Sequence, residues 1–128
     1  MRLLLIEDDQ AYQCAMATHL RALPDVDAVA VACDGEQGLE ILEREAMDLV
    51  LLDLSMPGAS GVQLIQRILA RDPQARVLAF SMHEQALFVQ QAIAAGACGY
   101  ITKNSAGEAL VEAVRAAHAG GRFFSPGL

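Results

Sequence analysis

The residues best equipped for chemistry in this chain stand where short apolar runs give out. Leu3–Ile6 leads into Glu7-Asp8-Asp9, Leu49–Leu52 into Asp53, Val77–Phe80 into Ser81, and Gly99–Ile101 into Thr102-Lys103. Three carboxylates drawn together repel one another, so such a group needs protons or cations between its members. Hard oxygen donors with few protein contacts suit Mg²⁺, whose shell is then completed by waters and a substrate phosphate. Lys103, the only lysine in the chain, supplies a second and fixed cation. In that setting Asp53 can attack phosphorus as a carboxylate nucleophile, while Mg²⁺, Lys103 and the Ser81 hydroxyl stabilise charge on the phosphoryl oxygens.

Each of these residues also has a plainer reading when taken alone. Glu7, Asp8 and Asp9 suit an acidic helix start, because carboxylates are favoured near the amino end of a helix dipole. Asp53 suits a turn before Ser55-Met56-Pro57-Gly58, Ser81 a strand end or cap, and Lys103 a solvated surface charge. What separates the chemical reading from these is that all four elements deliver their polar residue to one edge. Other chemistries fit poorly. No strand end offers a Cys-His or Ser-His-Asp set, and His19, His83 and His118 do not share metal-ligand spacing. His19 and His118 read as helix-surface residues, and Met47, Met56 and Met82 as packing.

The elements that must position these residues follow from periodicity. Five apolar runs, with Ala28–Ala32 added to the four above, are too short for helices and several are rich in branched side chains. Between them lie stretches with helical spacing, such as Leu110, Ala113, Val114 and Ala117, or Leu64, Ile65, Ile68 and Leu69. Start signals occur at Asp34-Gly35, at Ser60-Gly61 and at Ser105-Ala106-Gly107-Glu108, the last with capping-box spacing. Pro24, Pro73, Gly96 and Gly120-Gly121 stand where helical patterns end. Strand alternating with helix five times, the strands apolar almost throughout, predicts a doubly wound five-stranded parallel sheet of order 2-1-3-4-5, flavodoxin-like in plan. Ligands of such sheets bind beyond the carboxyl ends of the strands, at the point where strand one meets strand three.

Composition sets the outer limits. At 128 residues, 54% hydrophobic and 20% charged, the chain is expected to form one packed domain. The apolar start is cut short by Glu7, too early for a secretory core or a membrane span, so a cytoplasmic, membrane-free protein is expected. A formal net charge of −7 argues against nonspecific binding of nucleic acid by this segment. Cys14, Cys33 and Cys98 form an odd set inside apolar stretches and read as reduced core residues.

At these residues the sequence resembles the receiver domain of bacterial two-component response regulators, over almost its whole length. The resemblance is carried by Glu7-Asp8, by Asp53-Leu54-Ser55-Met56-Pro57 with Gly61 further on, by Ser81 and by Lys103. It implies that Asp53 accepts a phosphoryl group from a histidine kinase or phosphotransfer protein. It also implies that Asp8, Asp53 and the Ser55 backbone carbonyl hold Mg²⁺, with Glu7 acting through water, and that Ser81 and Tyr100 form the switch. Asn104, where many receivers have proline, together with Gly96-Ala97-Cys98-Gly99-Tyr100 and Gly120-Gly121, is similar to the NarL/FixJ-like subfamily. His83 matches a variable position that tunes hydrolysis in the family.

The resemblance further implies a receiver unit over residues 1–121 and, in 122–128, the start of a linker to a DNA-binding output domain outside this chain. Such a protein is a signalling switch rather than a conventional enzyme, catalysing only its own aspartyl phosphorylation and dephosphorylation, with a homodimer expected on phosphorylation. Two other readings remain beside it: a metal-dependent phosphatase acting on an external substrate, and a stand-alone or degenerate receiver serving as a protein-binding module. The first needs a substrate pocket or cap and usually a second acid for the leaving group, whereas the connections here are short. The filled set of Glu7, Asp8, Asp53, Ser81 and Lys103 speaks against the second.

Overall fold

Apolar runs too short for helices pair here as strands, and the helical stretches between them return the chain to the sheet's starting edge. The computed structural model describes residues 1–55, 61–82, 86–103 and 107–124. The elements are β1 (Arg2–Ile6), α1 (Gln10–Arg21), β2 (Ala28–Ala32), α2 (Gly35–Arg44), β3 (Leu49–Asp53), α3 (Gly61–Arg71), β4 (Val77–Ser81), α4 (Ala86–Ala95), β5 (Gly99–Thr102), α5 (Gly107–His118) and β6 (Phe123–Phe124). The expectations placed on Met56, Pro57, Ser60, His83, Asn104, Ser105 and the last part of 122–128 lie outside the described residues.

The strands are all parallel, in the order β2-β1-β3-β4-β5-β6. The expected five-strand order is therefore present, but the count is corrected to six. Phe123 and Phe124 pair with Gly99 and Tyr100. A two-residue strand is too short to show any apolar period, which is why periodicity did not reveal it.

Alternation along the strands divides the core into two layers. Leu3, Leu5, Leu49, Leu51, Leu78, Phe80 and Ile101 face one way, against Met16, Ala17 and Leu20 of α1 and Ala113, Val114 and Ala117 of α5. Leu4, Ile6, Val50, Leu52, Val77, Ala79 and Tyr100 face the other way, against Leu39 of α2, Leu64, Ile65 and Ile68 of α3, and Ala92 of α4. A strand buried on both faces has no polar side to show, hence the unbroken apolar runs.

Local signals act as their chemistry dictates. Asp34 caps α2, its side chain accepting from the Gln37 backbone N–H at 2.9 Å. Beyond α4 the chain turns through Gly96 at φ +112°, a left-handed conformation that a side chain would strain. Two expectations about packing are corrected. Cys98 is buried, but Cys14 and Cys33 are exposed. Cys14 lies round the helix from the buried Gln13, Met16, Ala17 and Leu20, and Cys33 follows the last residue of an edge strand. Met82 is 54% exposed rather than packed, because β4 has ended and the chain is leaving the sheet. His19 and His118 are exposed, as expected. Among the described residues no helix is long and apolar enough to cross a membrane.

Candidate functional site

The period of two that builds the sheet also aims the site. Glu7, Asp53 and Lys103 continue the odd-numbered positions that in β1, β3 and β5 face α1 and α5, so the three reach the same side of the carboxyl edge. Asp53 and Ser81 prove to be the last residues of their strands rather than the first residues after them, each held in the ladder. Lys103 N–H donates to the Ser81 carbonyl at 2.8 Å, which locks the turn after β5 to the end of β4.

Lys103 Nζ lies 3.0 Å from Asp53 Oδ2 and 3.1 Å from Glu7 Oε1. The Glu7 and Asp53 side chains are 0% and 1% exposed, and that of Lys103 is 11% exposed. Asp8 is exposed, and carboxylate oxygens of Glu7, Asp8 and Asp53 all come within 4.8 Å of one another. Two of the three acids share one lysine.

Burial raises the Glu7 carboxyl to a pKa of about 8, a hydrogen bond and the charge of Asp53 add to the rise, and Lys103 opposes it. Burial pulls the Lys103 ammonium down, but hydrogen bonds to Asp53 and Glu7 and their charges outweigh it, leaving its pKa above the ordinary lysine value. The site thus keeps a full cation beside an acid that tends to hold its proton. A divalent cation among the three acids would favour release of that proton, and an all-oxygen donor set with few protein ligands fits Mg²⁺.

The second half of the site lies around β4. Ser55 N–H donates to Asp53 Oδ1 at 2.7 Å, an Asx-type contact that orients the carboxylate. The Ser55 hydroxyl lies 2.8 Å from the Ser81 hydroxyl and accepts from the Met82 backbone N–H at 3.2 Å. Tyr100 is fully buried on the face opposite Lys103, and its phenol is hydrogen-bonded to Ser81. Burial raises the Tyr100 pKa first, the Ser81 hydrogen bond lowers it, and the Asp53 charge raises it again. Ser81 therefore bridges the acid site and the buried aromatic.

The structure brings together Glu7, Asp8, Asp53, Ser55, Ser81, Tyr100 and Lys103, each of which the sequence singled out. Asp9 has the plainer role: it caps α1, accepting from the Tyr12 backbone N–H at 3.1 Å. Sequence reasoning missed four contributors. Gln13 is buried and donates to the carbonyls of Glu7 at 2.9 Å and Ala32 at 3.2 Å, tying the ends of β1 and β2. The Ser55 side chain carries the bridge just described, where only its carbonyl had been considered. Tyr12 and Phe80 lie against the Lys103 ammonium. The one signal for Tyr12 is its helical spacing with Met16 and Leu20, which indicates a buried stripe and says nothing of Lys103.

Known proteins share this plan. Residues 3–115 match the family model described as the response regulator receiver domain. The transcriptional activator protein ExaE of Pseudomonas putida is 38% identical over 120 residues, covering 94% of this chain and 56% of ExaE. The nitrate/nitrite response regulator protein NarL of Escherichia coli K12 is 33% identical over 126 residues, covering 98% of this chain and 58% of NarL. The chain thus spans little more than half the length of these relatives. Among solved structures, a LuxR-family two-component response regulator from Aurantimonas sp. SI85-9A1 superposes with a TM-score of 0.93 at 34% identity, covering 98% of this chain and 89% of that one. Matched over most of its length in both sequence and structure, this chain belongs to the response regulator receiver domain family, in its NarL/FixJ-like branch.

Proposed function

We propose that Asp53 is the phosphoacceptor of this receiver, taking its phosphoryl group from a histidine kinase or phosphotransfer protein. The observation that carries the reading is the buried convergence of Asp53 and Glu7 on Lys103, with Asp8 beside them at the open edge. Asp8, Asp53 and the Ser55 backbone carbonyl would hold Mg²⁺, with Glu7 acting through water. When bound, the metal neutralises charge on the phosphoryl oxygens and draws the donor into line.

The chain's own residues do the rest. Ser55 N–H holds one Asp53 oxygen, leaving Oδ2 beside Lys103. An Asp53 oxygen forms a bond to phosphorus as the donor's bond to phosphorus breaks, its electron pair leaving with the donor, and an acyl phosphate results. Attack of water on that phosphorus later returns inorganic phosphate and the free carboxylate. Lys103 offers its ammonium to the transferred group's oxygens, and Ser81 can turn its hydroxyl from Ser55 and Tyr100 toward them. Such a turn would alter the packing of Tyr100, which faces α3 and α4, and shift a two-state equilibrium.

The whole protein's output is read in the same way. The length of the relatives supports a chain continuing past the receiver unit, whose sheet takes in Phe123–Phe124 beyond the expected boundary at 121, toward a DNA-binding domain that controls transcription, with a homodimer formed on phosphorylation. A cytoplasmic location follows from such a role.

Incubating the chain with phosphoramidate and Mg²⁺ tests the central step. A single alkali-labile phosphoryl adduct is expected, absent in Asp53→Asn and absent when a chelator removes the metal. A wild-type chain that stays unmodified would sink the reading.

A further inference from the structure

Lys103 is held from two sides by different physics. On one side stand the carboxylates of Asp53 and Glu7, 3.0 and 3.1 Å from Nζ. On the other stand two aromatic faces, with the ammonium 4.5 Å from the centroid of the Tyr12 ring and 5.5 Å from that of Phe80. The rings stack on each other, their centroids 6.0 Å apart and their planes inclined by 22°. Both distances to the ammonium fall within the range where a ring's quadrupole attracts a cation.

The two holds respond differently to the reaction. Glu7 and Asp53 are the groups that a metal and a phosphoryl group would engage, so their pull on the ammonium changes as the site fills. The rings' attraction depends on neither. A lysine side chain is a flexible stem that must be kept in one orientation to act as a fixed charge. Packed core does not supply that constraint here. Tyr12, Phe80, Thr102 and Lys103 line a cavity of about 230 Å³ between α1 and α5, so the lysine borders open space there and loss of the Tyr12 ring would widen it. Tyr12 is itself fixed at the first turn of α1, where its backbone N–H is held by Asp9, two residues beyond Glu7.

We propose that Tyr12 is a positioning residue for phosphoryl transfer, its ring face keeping the Lys103 ammonium aimed at Asp53 while the carboxylates are engaged elsewhere. The proposal rests on the reading of Asp53 as the phosphoacceptor. It assigns the work to the aromatic face and none to the phenol hydroxyl.

The initial rate of aspartyl phosphate formation, measured on the 128-residue chain with phosphoramidate and saturating Mg²⁺, tests it. Tyr12→Leu is expected to react about three- to tenfold more slowly, the range that loss of a partly desolvated cation–π contact implies. Tyr12→Phe is expected to stay within about twofold of wild type, since it keeps the face. Placing mono- and trifluorinated phenylalanine at position 12 withdraws electron density with little change of shape, and the rate should fall with each step. A structural role for the ring would leave the fluorine series flat. A flat series, or a Tyr12→Leu rate equal to wild type, overturns the proposal while leaving Asp53 as phosphoacceptor. A wild-type chain that takes up no phosphoryl group overturns both.

Discussion

Glu7 carries its carboxyl fully out of solvent, beside Asp53 and opposite Lys103. Burial first, and Asp53 second, raise its pKa to about 8, against an ordinary value of 4.5. With no metal present, the folded chain between those values retains a proton that the unfolded chain has released. Stability contributed by Glu7 is therefore highest below pH 4.5 and is lost as pH rises toward about 8. Urea midpoints measured in chelator at pH 5.5, 6.5 and 7.5 should show this contribution as a decline with pH that Glu7→Gln flattens. Saturating Mg²⁺ should remove the decline, since a divalent cation favours the ionised acid. Midpoints for wild type and Glu7→Gln that run parallel in chelator would show that Glu7 ionises freely. At this scale the sequence singled out Glu7, Asp8, Asp53, Ser81 and Lys103, which the fold gathers at one sheet edge, because acids, hydroxyls and a lone lysine stand out after apolar runs. Tyr12, Gln13 and Phe80 escaped because each is an ordinary residue for its element, and only its neighbours give it a task.

Among the elements, β6 is the one that periodicity could not disclose, and its presence depends on Gly99. A Cβ at Gly99 would collide with the carbonyl oxygen of Phe123 and approach Leu78 Cδ1 to 2.9 Å. Phe123 packs toward the α1 and α5 layer, Phe124 toward the opposite layer, and the Gly121 carbonyl just before them accepts from Arg76 at 2.7 Å. Gly99→Ala is therefore expected to detach β6 from β5 at a cost of about 1–3 kcal/mol, the usual range for forcing an extra methyl into a packed site. Hydrogen exchange at residues 122–124 should accelerate markedly while β1 and β3 amides stay protected. Unchanged exchange at 122–124 would mean that the pairing tolerates the methyl. Because β5 also carries Tyr100, which pairs with Phe124, the same experiment measures how firmly the strand bearing Tyr100 is tied to the segment that follows α5.

Over the whole molecule the sheet separates two apolar layers that share strands but no helix. Leu20 lies in one layer and Ile65 in the other, both fully buried. Leu20→Ala is expected to cost about 2–5 kcal/mol and Ile65→Val about 0.5–1.5 kcal/mol. The double variant should lose their sum to within about 0.5 kcal/mol, because neither side chain packs on the other's neighbours across the sheet. Denaturant titration of the four proteins decides this, and a coupling well above that figure would mean that strain passes through the strands. Phosphorylation has to use a different route between the layers. Lys103 and Tyr12 lie on one side and Tyr100 on the other, and Ser81, at the sheet's end, meets the Ser55 hydroxyl, the Lys103 backbone N–H and Tyr100.

From its order of residues alone this chain declared a parallel, doubly wound sheet and the edge on which its polar residues gather. Both follow from local rules: strands buried on two faces must be apolar throughout, and polar residues are admitted only where strands end. Tertiary structure decided what those rules do not reach. It moved Asp53 and Ser81 inside the ladder, because a strand's last paired residue depends on its neighbour's length. It exposed Cys14, Cys33 and Met82, whose burial depends on which way an element turns. It placed the Tyr12 and Phe80 rings, from α1 and β4, against the lysine at the end of β5, a meeting of residues far apart in the chain that no spacing within one element encodes.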